Sequence, residues 1–143
     1  MKIIVIAGPT ASGKTALGIG IARAIGGEVI SCDSMQIYKG MSIAPAAPTI
    51  EEMQDIPHHL VGFLSPDEEY SVAQFCADAN KVADQIVSRG ATPVLVGGTG
   101  LYVDSLIAGR TFAPFPETGK RQELERLAEE KGMDYMRQYL RTF

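Results

Sequence analysis

The stretch "GPTASGKT", residues 8–15, joins an apolar run to a helix-forming segment. The run before it, "KIIVIA" (2–7), is short and β-branched without alternation, which predicts a fully buried strand. The segment after it, "ALGIGIARAI" (16–25), is apolar on nearly all sides and predicts a helix packed on a sheet. A strand, a glycine-rich turn ending in Lys-Thr and a helix together predict a phosphate-binding loop.

This phosphate loop matches the required spacing in full, because two glycines five positions apart precede a lysine and a threonine. The glycines let backbone N–H groups turn inward around phosphate oxygens, where the helix dipole adds a favourable potential. The lysine supplies a positive charge to the outer phosphate, and the threonine hydroxyl can ligate Mg²⁺. The pattern predicts binding of a diphosphate or triphosphate without indicating which. Its candidate residues are Gly8, Pro9, Thr10, Ala11, Ser12, Gly13, Lys14 and Thr15.

Two further buried strands and two helices continue the alternation. The strands are "EVISC" (28–32) and "TPVLVGG" (92–98), and a helix opens at Ser71 with Gln74 as its capping-box partner. A second helix follows in "TGLYVDSLIAG" (99–109), whereas residues 34–66 are expected to form a long loop with short pieces of structure. The order predicts an α/β protein with a parallel sheet and helices on both faces, a three-layer fold like that of P-loop NTPases, over residues 1–109.

The chain changes character after residue 109. Residues 110–119 read as a proline-containing linker, and residues 120–143 as two amphipathic helices separated by Gly132. The apolar stripes of this hairpin have little sequence left to cover them. Self-association through residues 120–143 is one way in which these stripes could be covered.

Bulk properties narrow the classes of function. A chain of 143 residues suffices for one domain with a core, and its net charge of −4 argues against general affinity for nucleic acid without excluding a local RNA site. No apolar run approaches the length of a membrane span, so no membrane partner is expected. Cys32 and Cys76 read as buried thiols in a reducing compartment, which favours the cytoplasm.

Polar residues at predicted strand ends are candidates for chemistry. Asp33 follows the second strand, where it could bind magnesium through water, act as a general base, or cap a turn. Thr99 lies in "GGTG" after the third strand, where it could donate a hydrogen bond to a ligand or cap a helix. The adjacent His58 and His59 must point apart, so we expect structural hydrogen bonds in a loop rather than a shared metal.

Four stretches in order, "GPTASGKT", "ISCDSMQIYKGM", "PHHLVGFLSPDEEYSVAQF" and "RGATPVLVGGTGLYVDSLIAG", resemble the tRNA dimethylallyltransferases. The resemblance covers nearly all of residues 2–109. It implies that the loop cradles the pyrophosphate of dimethylallyl diphosphate with Mg²⁺. The implied reaction transfers the dimethylallyl group to N6 of adenosine 37, next to the anticodon of tRNAs that read codons starting with U, and releases diphosphate.

The resemblance also implies roles for individual residues. Asp33 would be the base that receives the N6 proton, Thr99 would assist near the amine and the bridging oxygen, and Lys14 would stabilise the leaving pyrophosphate. The residues implied to contact the anticodon loop of tRNA are Asp33, Ser34, Met35, Gln36, Thr99 and Arg121. From the residues alone, Arg121 belongs to a solvated helix surface.

The sequence departs from the family where "MSIAPAAP" (41–48) replaces the usual "MDIGTAKP". The changed positions are Ser42, Ala44, Pro45 and Ala47, and they remove a charge pair near the tRNA-facing loop. The sequence also covers about half of a typical member, so we expect the N-terminal half of such an enzyme. The resemblance then implies that residues 110–143 are the beginning of its tRNA-binding helical insertion domain. Two alternatives stay open: a small P-loop kinase of a metabolite, and an inactive fragment that binds diphosphate.

Overall fold

The computed structural model describes residues 2–40, 48–110, 112 and 119–143. The chain divides into two compact units, residues 1–111 and 112–143. The sequence predicts this boundary after residue 109, two residues earlier. The departures at Ser42, Ala44, Pro45 and Ala47 lie outside the described residues.

The first unit is built on a parallel sheet. Its neighbouring strands are all parallel, in the order β1-β4-β2-β3. The strands are β1 (Ile4–Ala7), β2 (Gly27–Ser31), β3 (His58–His59) and β4 (Thr92–Gly97), and the helices are α1 (Lys14–Ile25), α2 (Ile50–Met53), α3 (Val72–Ser88) and α4 (Gly100–Ile107). Each connection between two parallel strands crosses over one face of the sheet. The helices in these connections therefore cover the faces of the sheet.

Alternate residues of β4 show that both faces are covered. Val94 and Val96 pack with Ala22 of α1 on one face. Leu95 packs on the other face with Phe75 of α3 and Tyr102 of α4, whose rings stack with centroids 4.4 Å apart. Side chains alternate along a strand, so this continuous apolar run serves two cores at once. The predicted helices on both faces are confirmed.

Two glycines set the distances between these elements. A Cβ at Gly18 of α1 would lie 2.5 Å from Cγ2 of Val96, so α1 approaches the sheet more closely than any larger residue would allow. A Cβ at Gly97 would lie 2.0 Å from the carbonyl oxygen of Cys32. The ends of β2 and β4 are therefore held together at the edge where parallel strands bind ligands.

Helix boundaries agree with the predicted signals. Gly26 ends α1 in the left-handed conformation with φ 65°. At the start of α3, the Ser71 hydroxyl accepts from the Gln74 backbone N–H at 3.2 Å, and the Gln74 side chain accepts from the Ser71 N–H at 2.7 Å. The predicted capping box is thus present. The second strand begins at Gly27, one residue before its predicted start.

The expectation that His58 and His59 lie in a loop was wrong. They form the short strand β3, which lies next to β2 at the end of the strand order. In it His58 pairs with Val29 and His59 pairs with Ile30. The backbone N–H of Val29 also donates to the carbonyl of Pro57 at 2.9 Å. A strand of two residues is too short for a hydrophobic pattern to reveal it, so only pairing with β2 defines it.

The second unit contains α5 (Lys120–Leu140). Gly132 interrupts this helix with φ 76° and ψ 172°, which are not helical values, so the two predicted helical segments and the glycine between them are confirmed. Leu140 is 74% exposed and Phe143 is 91% exposed. Among the described residues, we find no helix with the length and apolar character needed to cross a bilayer.

Candidate functional site

Three turns meet at one edge of the sheet, because β1, β2 and β4 are parallel and end together. The phosphate loop follows β1, Asp33 follows β2, and Thr99 follows β4. A Cβ at Gly98 would lie 3.2 Å from the carbonyl oxygen of Gly8, so the turn after β4 packs against the phosphate loop. The fold therefore brings together the polar residues that sequence spacing left far apart.

The phosphate loop has the backbone shape of an anion site. Ala11 and Gly13 both have positive φ, 62° and 81°, and such alternations turn successive N–H groups to one side. Gly13 is the residue before α1, and no side chain caps this helix end. The first N–H groups of α1 and its positive dipole end are thus available to an anion. The Lys14 ammonium donates to the carbonyl of Pro9 across the loop.

A cleft of about 430 Å³ opens beside this loop. Residues 10–15 line it on one side, and Asp33 and Gln36 line it beyond β2. Its apolar wall comes from Ala16, Ile19, Val29, Val61 and Val96, and the same cleft is also lined by the polar side chains of Ser31, Glu52, Gln54 and His58. The cleft thus joins an anion site, a carboxylate and an apolar wall within the first unit.

Asp33 caps a turn, as one alternative predicted, and its side chain also lines the cleft. Its Oδ1 accepts hydrogen bonds from the backbone N–H groups of Met35, at 2.9 Å, and Gln36, at 3.4 Å. This is a turn-capping carboxylate. The same side chain lines the cleft, so the turn fixes its position without removing it from the site.

Thr99 is held against the turn after β2. Its backbone N–H donates to the carbonyl of Cys32 at 3.2 Å, and its Oγ1 accepts from the backbone N–H of Ser34 at 3.0 Å. Thr99 is the N-cap residue of α4, as one alternative predicted, but its side chain makes no capping hydrogen bond. Thr99, Ser34 and Met35 are not among the residues that line the cleft.

The histidines of β3 face opposite ways, as expected for neighbouring strand residues. His58 lines the cleft, and its Nδ1 lies 2.8 Å from the carbonyl oxygen of Ile56. His59 lies on the other face, where its Nε2 is 2.6 Å from Oε2 of Glu28. Arg89 donates to the same carboxylate at 2.8 Å. The hydrogen bond from Arg89 is the main reason that the pKa of Glu28 is lowered.

Sequence reasoning missed several lining residues of the cleft, among them Ser31, Gln54 and His58; to His58 it assigned only a structural role. Ser31 is buried at 3% exposure, and its hydroxyl donates to Oε1 of Gln36 at 3.0 Å. A polar side chain inside an otherwise apolar strand is a signal that could have indicated it, since buried polar groups need partners.

The thiols are buried, as predicted. Burial is the main cause that raises the pKa of Cys32 to about 12, and the negative charge of the neighbouring Asp33 adds to it. The pKa of Cys76 is also raised by burial. Cys32 therefore stays a neutral thiol at pH 7 and does not supply a nucleophile next to the site.

Arg121 lies in the second unit, on α5. Its Nε donates to Oε1 of Glu125 at 2.9 Å, one turn along the helix. The arginine side chain is 78% exposed and the glutamate side chain is 59% exposed. This geometry fits the solvated helix surface expected from the residues alone. In the described ranges, no group of three or more His, Cys, Asp or Glu residues could hold a metal ion.

Comparison with solved structures places this architecture in a known group. The chain is similar to the full-length tRNA isopentenylpyrophosphate transferase of Bacillus halodurans, with a TM-score of 0.78 and 42% identity over 97% of this chain and 46% of that one. It is also similar to a eukaryotic dimethylallyltransferase solved while acting on tRNA, with a TM-score of 0.74 and 37% identity over 78% of this chain and 28% of that one.

Sequence comparison agrees. The chain is 51% identical over 125 residues to the tRNA dimethylallyltransferase of Macrococcus caseolyticus, covering 87% of this chain and 40% of the relative. It is 48% identical over 140 residues to that of Carboxydothermus hydrogenoformans, covering 97% of this chain and 45% of the relative. It thus spans less than half the length of these relatives.

Two family models match along the chain. The isopentenyl transferase model matches residues 1–62, which include the phosphate loop and Asp33. The IPP transferase model matches residues 36–143, well over half of the sequence and across both units. The matched residues form the parallel sheet whose strand ends bring the phosphate loop, Asp33 and Thr99 together. The chain belongs to the IPP transferase family.

Proposed function

We propose that this chain carries the donor-binding and proton-accepting part of a tRNA dimethylallyltransferase. It would transfer the dimethylallyl group from dimethylallyl diphosphate to N6 of adenosine 37 in tRNA. The observation that carries this proposal is the cleft itself, in which a diphosphate-binding loop, an apolar wall and Asp33 occur together. The names of the relatives support it. An apolar wall beside a phosphate site suits a prenyl diphosphate better than a nucleotide.

The chain's own residues suffice to describe the transfer. Backbone N–H groups of residues 10–15, with the Lys14 ammonium, bind the diphosphate and stabilise the charge that develops on it. The N6 nitrogen forms a bond to C1 of the allyl group while the C1–O bond breaks. The electron pair of the C1–O bond leaves with pyrophosphate. The nitrogen then gives its proton to Asp33, whose turn holds the carboxylate in place.

The positions of Thr99 and Ser34 suit a supporting role. Their side chains and backbone link the turn after β4 to the turn after β2, so they hold the turn of Asp33 next to the turn that packs against the phosphate loop. Ser34, Met35 and Gln36 follow Asp33 directly and would meet the target nucleotides. The adenosine must leave its stacked position in the anticodon loop for N6 to reach this site.

The residues present fit a magnesium ion bound mainly through the diphosphate. The Thr15 hydroxyl and the Asp33 carboxylate are hard oxygen donors in one cleft. Mg²⁺ commonly takes one or two protein oxygens, substrate phosphates and several waters. Thr15 would be its direct ligand and Asp33 would act through water. When bound, the ion neutralises charge on the leaving diphosphate.

The proposal is tested by incubating the chain with Mg²⁺, unmodified tRNA and radiolabelled dimethylallyl diphosphate, while ATP consumption is measured in parallel. Label in tRNA, released as N6-dimethylallyladenosine on digestion, is the expected result. Consumption of ATP with a metabolite acceptor would identify a kinase instead. Pyrophosphate binding without any transfer would leave a diphosphate-binding protein and contradict the proposed activity of this chain.

A further inference from the structure

Ser31 is a polar residue at the end of an apolar strand, and the transfer described above gives it no role. It is the last residue of β2, is 3% exposed and lines the cleft. Its hydroxyl donates to Oε1 of Gln36 at 3.0 Å. A buried hydroxyl needs such a partner, whereas an apolar side chain at the same place would need none. The hydrogen bond therefore calls for an explanation beyond the stability of β2.

Gln36 ends the turn that begins at Asp33, and hydrogen bonds hold it at three points. Its backbone N–H donates to Oδ1 of Asp33 at 3.4 Å, and its backbone carbonyl accepts from the N–H of Gly62 at 2.8 Å. These two contacts fix the backbone of the residue but not the torsions of its side chain. The third contact, with Ser31, acts on the side chain and fixes where the amide oxygen lies.

The direction of this hydrogen bond decides how the Gln36 amide is presented. A glutamine amide has an accepting oxygen and a donating nitrogen on opposite sides of one planar group. Because Ser31 donates to the oxygen, the oxygen points toward β2 and the nitrogen lies on the side away from Ser31. The same side chain lines the cleft, three residues after Asp33. In the proposed function, Gln36 would therefore meet the target nucleotide as a hydrogen-bond donor.

We propose that Ser31 is a positioning residue for the acceptor nucleotide and that it acts through Gln36. Its hydroxyl holds the amide so that an N–H of Gln36 faces an acceptor atom of the target base, such as a ring nitrogen of adenine. This inference rests on the proposed function and adds to it a residue that orients the turn toward tRNA. A direct contact between the Ser31 hydroxyl and the diphosphate is the competing role.

A double-mutant cycle on the whole chain separates a role through Gln36 from a general structural role. Ser31→Ala removes the donor, and Gln36→Met removes the acceptor and the N–H groups at similar volume. Ser31→Thr keeps the hydroxyl on a residue that suits a strand. For the wild type and each variant, transfer to unmodified tRNA gives KM and kcat, filter binding gives the Kd for tRNA, and calorimetry with Mg²⁺ gives pyrophosphate affinity.

We expect Ser31→Ala to raise both the KM and the Kd for tRNA about fivefold, the factor expected for one hydrogen bond. The kcat should stay within about twofold and pyrophosphate affinity should not change, since the contact serves tRNA binding rather than the chemical step. Ser31→Thr should remain close to the wild type. In the Gln36→Met background, Ser31→Ala should change neither constant further, because the partner of Ser31 is already absent.

An equal effect of Ser31→Ala in both backgrounds would overturn the inference and leave Ser31 a packing residue. Unchanged constants for tRNA in Ser31→Ala, with Gln36 in place, would overturn it too. A loss of pyrophosphate affinity in Ser31→Ala would assign the hydroxyl to the diphosphate instead. A wild-type chain that binds pyrophosphate but neither binds nor modifies tRNA would overturn the proposed function and the inference with it, a result that no difference among the variants can produce.

Discussion

In the proposed function, the two oxygens of Asp33 have different roles. Oδ1 is committed to the backbone N–H groups of Met35 and Gln36, which leaves the rest of the carboxylate for the cleft. Asparagine keeps an Oδ1 that accepts the same hydrogen bonds, but its amide cannot receive a proton. The substitution Asp33→Asn therefore separates the turn from the base.

We expect Asp33→Asn to lower the rate of prenyl transfer by at least about 100-fold, the smallest typical contribution of a general base. Pyrophosphate affinity should change little, because the phosphate loop does not depend on Asp33. Single-turnover transfer and pyrophosphate calorimetry measure the two quantities. Asp33→Ala is the control, since it loses the turn and the base together. A large loss of pyrophosphate affinity in Asp33→Asn would instead assign the carboxylate mainly to the metal.

Among the elements, α1 depends on one small residue for its distance from the sheet. A Cβ at Gly18 would meet Val96 at 2.5 Å, whereas a Cβ at Gly20 would meet nothing within 4 Å. Both glycines lie inside the same helix, so the two alanine substitutions gain the same helix propensity. They differ in the packing that they impose.

Gly18→Ala should reduce the free energy of unfolding by about 1–3 kcal/mol, the usual cost of an extra buried methyl group. Gly20→Ala should leave it unchanged or raise it by up to about 1 kcal/mol. Urea denaturation followed by circular dichroism measures both. A stable Gly18→Ala chain would mean that α1 can move away from β4 at little cost.

The shortest strand, β3, is fixed by charge as well as by its backbone. Glu28 of β2 pairs with His59 of β3 and with Arg89 after α3. Its folded-state pKa lies below the ordinary value of 4.5, first because of Arg89. Stability from this carboxylate is therefore fully present above pH 4.5 and is lost as the pH falls through the lowered pKa.

Glu28→Gln should accordingly cost about 1 kcal/mol of unfolding free energy at pH 7 and less at pH 3, where part of the carboxylate's contribution is lost. Equilibrium denaturation at the two pH values measures the difference. Glu130→Gln is the matched control, because its partner Arg126 is on the same exposed helix and both side chains are more than half exposed. A loss for Glu28→Gln that is just as large at pH 3 would show that packing rather than charge holds β3.

Sequence patterns located the elements whose signals are local. Periodicity and turn residues indicated α1, α3, β2 and β4, and the Lys-Thr of the phosphate loop indicated the anion site. The patterns missed β3, because two residues have no periodicity and their pairing partner is 29 positions away. They also allowed Thr99 to cap a helix, whereas its Oγ1 accepts from Ser34, a partner that only the folded sheet brings near.

At the scale of the molecule, charge is unevenly divided between the two ends of the chain. The net charge is −4, yet residues 120–143 carry six Lys and Arg against five Asp and Glu, a balance of +1, which leaves −5 for residues 1–119. An acidic first unit repels a nucleic acid backbone. The proposed binding of tRNA would therefore depend on local contacts, of which the cations of α5 are candidates.

Arg121 and Arg126 allow a matched test of that idea. Each pairs with a glutamate four residues later on α5, Arg121 with Glu125 at 2.9 Å and Arg126 with Glu130 at 2.8 Å. Of these two arginines, the family resemblance implies a tRNA contact for Arg121 and not for Arg126. Replacing either arginine removes one positive charge and the ion pair one turn along the helix, so the net charge changes alike in the two variants.

Arg121→Ala should weaken tRNA binding about threefold to tenfold and reduce the salt dependence of the affinity by about one unit of log–log slope, the loss expected for one phosphate contact. Arg126→Ala should do neither, and pyrophosphate affinity should be unchanged in both. Filter binding of unmodified tRNA over a series of salt concentrations gives the slopes. Equal losses in the two variants would mean that α5 attracts RNA through its overall charge. A specific contact is lost only when the arginine that makes it is replaced, whereas an effect of overall charge is the same for either arginine.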